Sequence, residues 1–148
     1  MKRTTKTILA IALALAMILG SGPTRSGAAM NADFDFSVED IMLLAAAMQL
    51  ENGCNSDECL YLTGTVIINR VRHPRYPDTI KGVLFQKGQY AKATLDRLYT
   101  VEITDRVLAL ALRVATHTPI DEDIIFQSMQ PKLGRVRYII DGEYFATE

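Results

Sequence analysis

A carboxylate closes an apolar run. In Val38-Glu39-Asp40-Ile41-Met42-Leu43-Leu44-Ala45-Ala46-Ala47-Met48-Gln49-Leu50-Glu51, only Gln49 is polar between Ile41 and Leu50. Glu51 follows Leu44, Ala47 and Met48 at the i−7, i−4 and i−3 spacings, which place it on a helix face otherwise made of core residues. An acid there is expected to point inward or into a cleft. An apolar surround and the negative end of the helix dipole both disfavour its ionised form. A carboxyl kept protonated near neutral pH is what glycosidic bond cleavage needs, because the leaving oxygen must take a proton as the bond breaks. The plainer alternative is a glutamate fraying into solvent at a helix end.

Few other residues could do chemistry. Cys54 and Cys59 are the only cysteines, and His73 and His117 the only histidines. In an exported protein the two cysteines are expected to form a disulfide across the short loop after Glu51. No metal is expected, since a tetrahedral zinc site wants four ligands, and no cofactor either. A Cys59 nucleophile served by His73 or His117, as in an amidase or peptidase, stays open but is disfavoured by oxidation. Gln89 and Tyr90 suit a sugar, which offers hydroxyls to an amide and an apolar ring face to an aromatic. Tyr138 and Tyr144 share with Tyr90 the alternative of serving as core aromatics. Asn69 is open between lining a cleft and a structural role, whereas Arg70 reads as a structural ion pair or cap. A two-carboxylate hydrolase would want a second acid near Glu51; Asp57, Glu58 and Glu143 are on offer and none is singled out.

The elements that must position these residues are legible in outline. Ser37 caps the Glu51 helix, Asn52-Gly53 ends it, and near-uniform apolarity puts it at the centre of a small domain. Ser56 caps a second helix carrying Leu60, Gly64, Ile67 and Val71 on one face, with Gly64 marking a close crossing. Pro74 and Pro77 predict an extended connection. Asp78 or Thr79 then caps a short helix through Leu84, and Gln89-Tyr90 follows Gly88 in a loop. Thr100 or Thr104 caps a helix running to Thr116, which Thr118-Pro119 breaks, and Asp121-Glu122-Asp123 reads as a solvated turn. Beyond it Ile124-Ile125-Phe126-Gln127 reads as a strand, and Arg135–Ile140 and Glu143–Ala146 as a hairpin about Asp141-Gly142. The expected fold class is α+β, mainly α: a helical body with a small C-terminal antiparallel sheet.

The 148 residues, 49% hydrophobic and 22% charged, suffice for one core. Lys2, Arg3 and Lys6 precede a 12-residue apolar run, Ile8 to Leu19, and then small residues. This predicts a signal peptide over 1–29, cleaved near Ala28 or Ala29, since the apolar run falls short of the about 20 residues that span a bilayer, with an uncleaved anchor as the alternative. It is followed by a lead-in, 30–37, and a domain over 38–148. Four of the 16 basic residues and none of the 17 acidic ones precede residue 30, which leaves 12 basic against 17 acidic, a formal −5. A mildly acidic domain with no basic stripe excludes nucleic acid as a partner. No membrane is expected after signal cleavage, and the protein is expected to act as a monomer, secreted or in the cell wall.

Thr63-Gly64-Thr65-Val66-Ile67-Ile68-Asn69-Arg70-Val71, Tyr76-Pro77-Asp78-Thr79-Ile80, Val83-Leu84-Phe85 and Gln89-Tyr90, in that order and spacing, resemble the SleB/CwlJ cell wall hydrolases, the spore-cortex-lytic enzymes. The likeness runs over roughly residues 38–146, and Glu51 falls on the family's catalytic glutamate. It implies a lysozyme-like fold. It also implies cleavage of peptidoglycan glycan strands between N-acetylmuramic acid and N-acetylglucosamine, by a lytic transglycosylase or muramidase. Two departures stand out: Asn52–Cys59 replaces the usual "A-R-G-E-x-x-x-G-Q" segment, and Glu143 follows Gly142 where the family often has histidine. A non-catalytic peptidoglycan-binding domain is the alternative these departures leave open.

Overall fold

The computed structural model describes residues 36–117 and 123–148. Residues Glu39–Glu148 form one unit and the chain up to Val38 another; the architecture below is that of the former. The predicted signal peptide, residues 1–29, most of the lead-in, the Thr118-Pro119 break and most of the acidic turn lie outside the described residues.

Among the described residues there are five helices and three strands. They are α1 (Val38–Asn52), α2 (Asp57–Arg72), α3 (Ile80–Phe85), α4 (Lys92–Arg97), α5 (Asp105–Thr116), β1 (Phe126–Ser128), β2 (Arg135–Ile140) and β3 (Glu143–Thr147). The class is α+β, mainly α, as the sequence predicts. The strands form one antiparallel sheet in the order β1-β3-β2. No helix among the described residues is long and apolar enough to cross a membrane.

The centre belongs to α2 more than to α1. Every residue from Cys59 to Val71 is buried, because this one helix packs against α5, α3 and β1 together. Ser56 caps it, its hydroxyl accepting from the Cys59 amide at 3.2 Å. A Cβ on Gly64 would stand 2.9 Å from Met48 Sδ and 3.1 Å from Val114 Cγ2, so glycine is what lets α1 and α5 close on α2. On its other side α2 meets the sheet through Cys59, Leu62, Val66, Ile124 and Phe145.

Several expectations are corrected. Cys54 and Cys59 are not bridged: both thiols are free, Cys54 exposed and Cys59 buried. The first turn of α2 turns Cys59 onto the same face as Leu62 and Val66, into the core, while Cys54 stays in the solvent-facing turn. A bridge needs the two Cβ atoms to face each other. Pro74 sits in a turn closed by the Tyr76 amide on the His73 carbonyl at 3.0 Å, while His73, before the proline, is extended. Ile124 and Ile125 precede β1 instead of belonging to it. Helix α4 has no counterpart in the sequence reading, for it has neither a side-chain cap nor a buried residue to mark it. The hairpin turn does follow its signal, with Asp141 and Gly142 both at positive φ, 53° and 84°.

Candidate active site

Glu51, the penultimate residue of α1, lines a groove of about 280 Å³ together with Arg70, Gln89, Tyr90, Gln127 and Glu143. The core face that leads to it is real: Leu44, Ala47 and Met48 are fully buried. The last turn of α1 then runs past the edge of the core, so the Glu51 side chain is exposed through the groove and not enclosed. Protein around the carboxyl still displaces enough water to raise its pKa above the ordinary value. A hydrogen bond from Thr94 on α4 opposes this, and the negative charge of Glu143 adds to it. The raised pKa favours the protonated acid in the folded protein.

The loop after Glu51 is held from three sides. Asn52 is buried and donates to Thr63 Oγ1 at 2.7 Å, and Asn55 donates to Asn52 Oδ1 at 2.8 Å. Arg106 on α5 reaches Asp57 at 2.6 Å and the carbonyls of Gly53 and Asn55. Upstream, Gln49 Oε1 accepts from the Thr104 amide and hydroxyl, both at 3.1 Å. These polar ties fix the C-terminal end of α1, and so the acid, without a disulfide.

Gln89 and Tyr90 come to the groove from the loop after α3, following Gly88 at φ 83°. Burial pushes the Tyr90 hydroxyl up to about 12, against the lowering effect of Arg70, which hydrogen-bonds it. It therefore stays a neutral phenol throughout the physiological range. Arg70 forms the floor. Only 6% exposed, it donates Nε to the Ile125 carbonyl at 2.8 Å and stacks 5.5 Å from the Tyr76 ring centroid. Among the described residues no carboxylate lies within ion-pair distance of it. Its role is thus a cap on the strand-entry carbonyl, not an ion pair.

Asn69 and Tyr144 are not among the groove residues. The Asn69 amide donates to the Ile124 carbonyl at 2.8 Å, inside the molecule, and Tyr144 is half-buried in β3 beside Ser128 and Ile139. Arg70, Gln127 and Glu143 take their places. The Asn-Arg pair on α2 holds two successive carbonyls, Ile124 and Ile125, 55 residues away, and so docks the sheet against the groove floor.

No cysteine–histidine pair is assembled. Burial raises the Cys59 thiol, whose sulfur accepts from Asn55 at 3.5 Å. His73 is engaged by the Arg75 amide and Glu148, and His117 by Arg113 and Thr116. A protonated, buried thiol is a poor nucleophile.

A family model described as Cell Wall Hydrolase matches residues 55–138, beginning four residues after Glu51. Two solved structures are similar. The catalytic domain of the germination-specific lytic transglycosylase SleB from Bacillus anthracis shares 18% identity at a TM-score of 0.67, over 76% of this chain and 98% of that one. The catalytic domain of the Bacillus cereus SleB protein shares 20% identity at 0.64, over 82% and 100%. No curated protein matches the chain. At these identities the structures speak for the fold, which is that of the SleB catalytic domains.

Proposed function

The chain belongs to the cell wall hydrolase family, and we propose that it cuts the glycan strand of peptidoglycan between N-acetylmuramic acid and N-acetylglucosamine as a lytic transglycosylase, with Glu51 as acid and then base. The observation that carries this reading is that one groove is lined by a carboxyl of raised pKa and by a loop amide and an aromatic ring suited to a sugar. Glu51, protonated, gives its proton to the glycosidic oxygen as the bond from that oxygen to the anomeric carbon breaks. Now a carboxylate, it takes the proton of the muramoyl C6 hydroxyl as that oxygen bonds to the anomeric carbon. The proton lost in the first half returns in the second, and no water is consumed. Tyr90, a neutral phenol braced by Arg70, offers a ring and a donor to the sugar, and Gln89 an amide.

Mass spectrometry of fragments released from purified sacculi tests the outcome. Internal muramoyl ethers lack one water relative to reducing ends. Anhydro-terminated fragments are expected, and reducing ends alone would make the enzyme a muramidase.

A further inference from the structure

The groove holds a second acid. Of the three residues the sequence offers, Asp57 is ion-paired with Arg106 at 2.6 Å and Glu58 is exposed on the first turn of α2. Only Glu143 lines the same groove as Glu51. We propose that Glu143 is the second catalytic carboxylate, facing the sugar ring as positive charge builds at the anomeric carbon while Glu51 protonates the leaving oxygen.

Its position is built, not incidental. Glu143 opens β3, opposite Ile140. Two residues earlier, Asp141 Oδ2 accepts from the Ser56 amide at 2.8 Å and the Ser56 hydroxyl at 2.6 Å, tying the hairpin turn to the cap of α2. From β1, the Gln127 amide reaches Glu143 Oε2 at 3.4 Å. Glu51 thus enters the groove from the helical body and Glu143 from the sheet, each on an element tied to the other through the α1–α2 loop.

Cleavage of a glycoside passes through an oxocarbenium-like state, and a fixed negative charge near the anomeric carbon stabilises it more than it stabilises the neutral substrate. No bond to Glu143 forms or breaks. The proton passes from Glu51 to the leaving oxygen and back from the C6 hydroxyl, and Glu143 ends as it began. The groups facing Glu51 are Thr94 from α4, Arg70 and Tyr90 at the floor, and Glu143 from the sheet. Glu143 is the one whose charge favours the protonated donor, in addition to the larger effect of burial.

The inference rests on Glu51 being the donor, so the full chain is assayed on purified sacculi as Glu143→Gln, Glu143→Ala and Glu51→Gln side by side. Glu143→Gln is expected to lose about 10²-fold in kcat with KM and melting temperature nearly unchanged. The alkaline limb of its kcat/KM profile should move to lower pH, since Glu51 without its acidic neighbour gives up its proton earlier. Added sodium formate should restore part of the activity of Glu143→Ala, which a purely structural role would not allow. Wild-type kcat with an unmoved limb in Glu143→Gln, or a loss in Glu143→Ala that formate leaves untouched, overturns the proposal. If Glu51→Gln keeps its activity, the donor assignment itself fails, a result read separately from the Glu143 variants.

Discussion

Glu51→Gln is expected to lower turnover on purified sacculi by about 10²-fold or more, the usual cost of losing general acid catalysis. The amide keeps the shape and the hydrogen bond with Thr94 but has no proton of suitable acidity for the leaving oxygen. Folding should not suffer. The folded protein binds the Glu51 proton more tightly than the unfolded chain does, because burial and the Glu143 charge raise its pKa. The stability this contributes is present below the ordinary carboxylate range and is lost as pH rises through the raised pKa. Above that raised pKa the wild type carries a charge that its surroundings disfavour and the amide variant does not. Thermal melts should show Glu51→Gln equal to or slightly more stable than the wild type above the raised pKa, with the advantage closing as pH falls through it. Unaltered turnover in a folded variant would remove Glu51 from the chemistry.

Arg70→Met is expected to destabilise the domain by about 2–3 kcal/mol, the range for losing a hydrogen bond from a charged donor to a buried acceptor. Methionine keeps much of the stem's packing, and removing a buried charge recovers desolvation energy. Both gains are outweighed because the acceptors stay behind: the Ile125 carbonyl loses the Nε donor and Tyr90 loses its hydroxyl partner. In a domain of this size the melting temperature should fall by roughly 10 °C. KM for glycan should rise as well, as the Tyr90 loop loosens from the floor of the groove. A variant that melts with the wild type would show that α2 does not hold the sheet through this side chain.

What could be read from the sequence follows the range of the interactions involved. The helix ending in Glu51, the Ser56 cap, the Gly64 crossing and the Asp141-Gly142 turn are set within a few residues, and each stands where its signal puts it, while the structure chooses Thr79 over Asp78 and Thr104 over Thr100 as caps. The partners of Asn69 and Arg70 lie 55 residues away, so nothing local showed that one amide would be drawn inside while its neighbour floors the groove. Glu143 could not be preferred over Asp57 or Glu58, because its place depends on the grip of Ser56 on Asp141 across 85 residues. The cysteines misled for the opposite reason: close in sequence, they are separated by a helix start that turns one sulfur inward. Helix α4, which delivers Thr94 to Glu51, is short, uncapped and unburied, and carries no pattern to read.

Whether Glu51 holds the proton that the leaving oxygen receives is measured most directly by titrating that carboxyl in the free protein, with carbon-13 label and NMR, beside the alkaline limb of kcat/KM. That limb reports an essential acid of the free enzyme. The expected result is one midpoint in both measurements, above the ordinary glutamate range, with the NMR signal assigned by its loss in Glu51→Gln. A Glu51 that titrates within the ordinary range while activity continues undiminished above it would contradict its role as the proton donor.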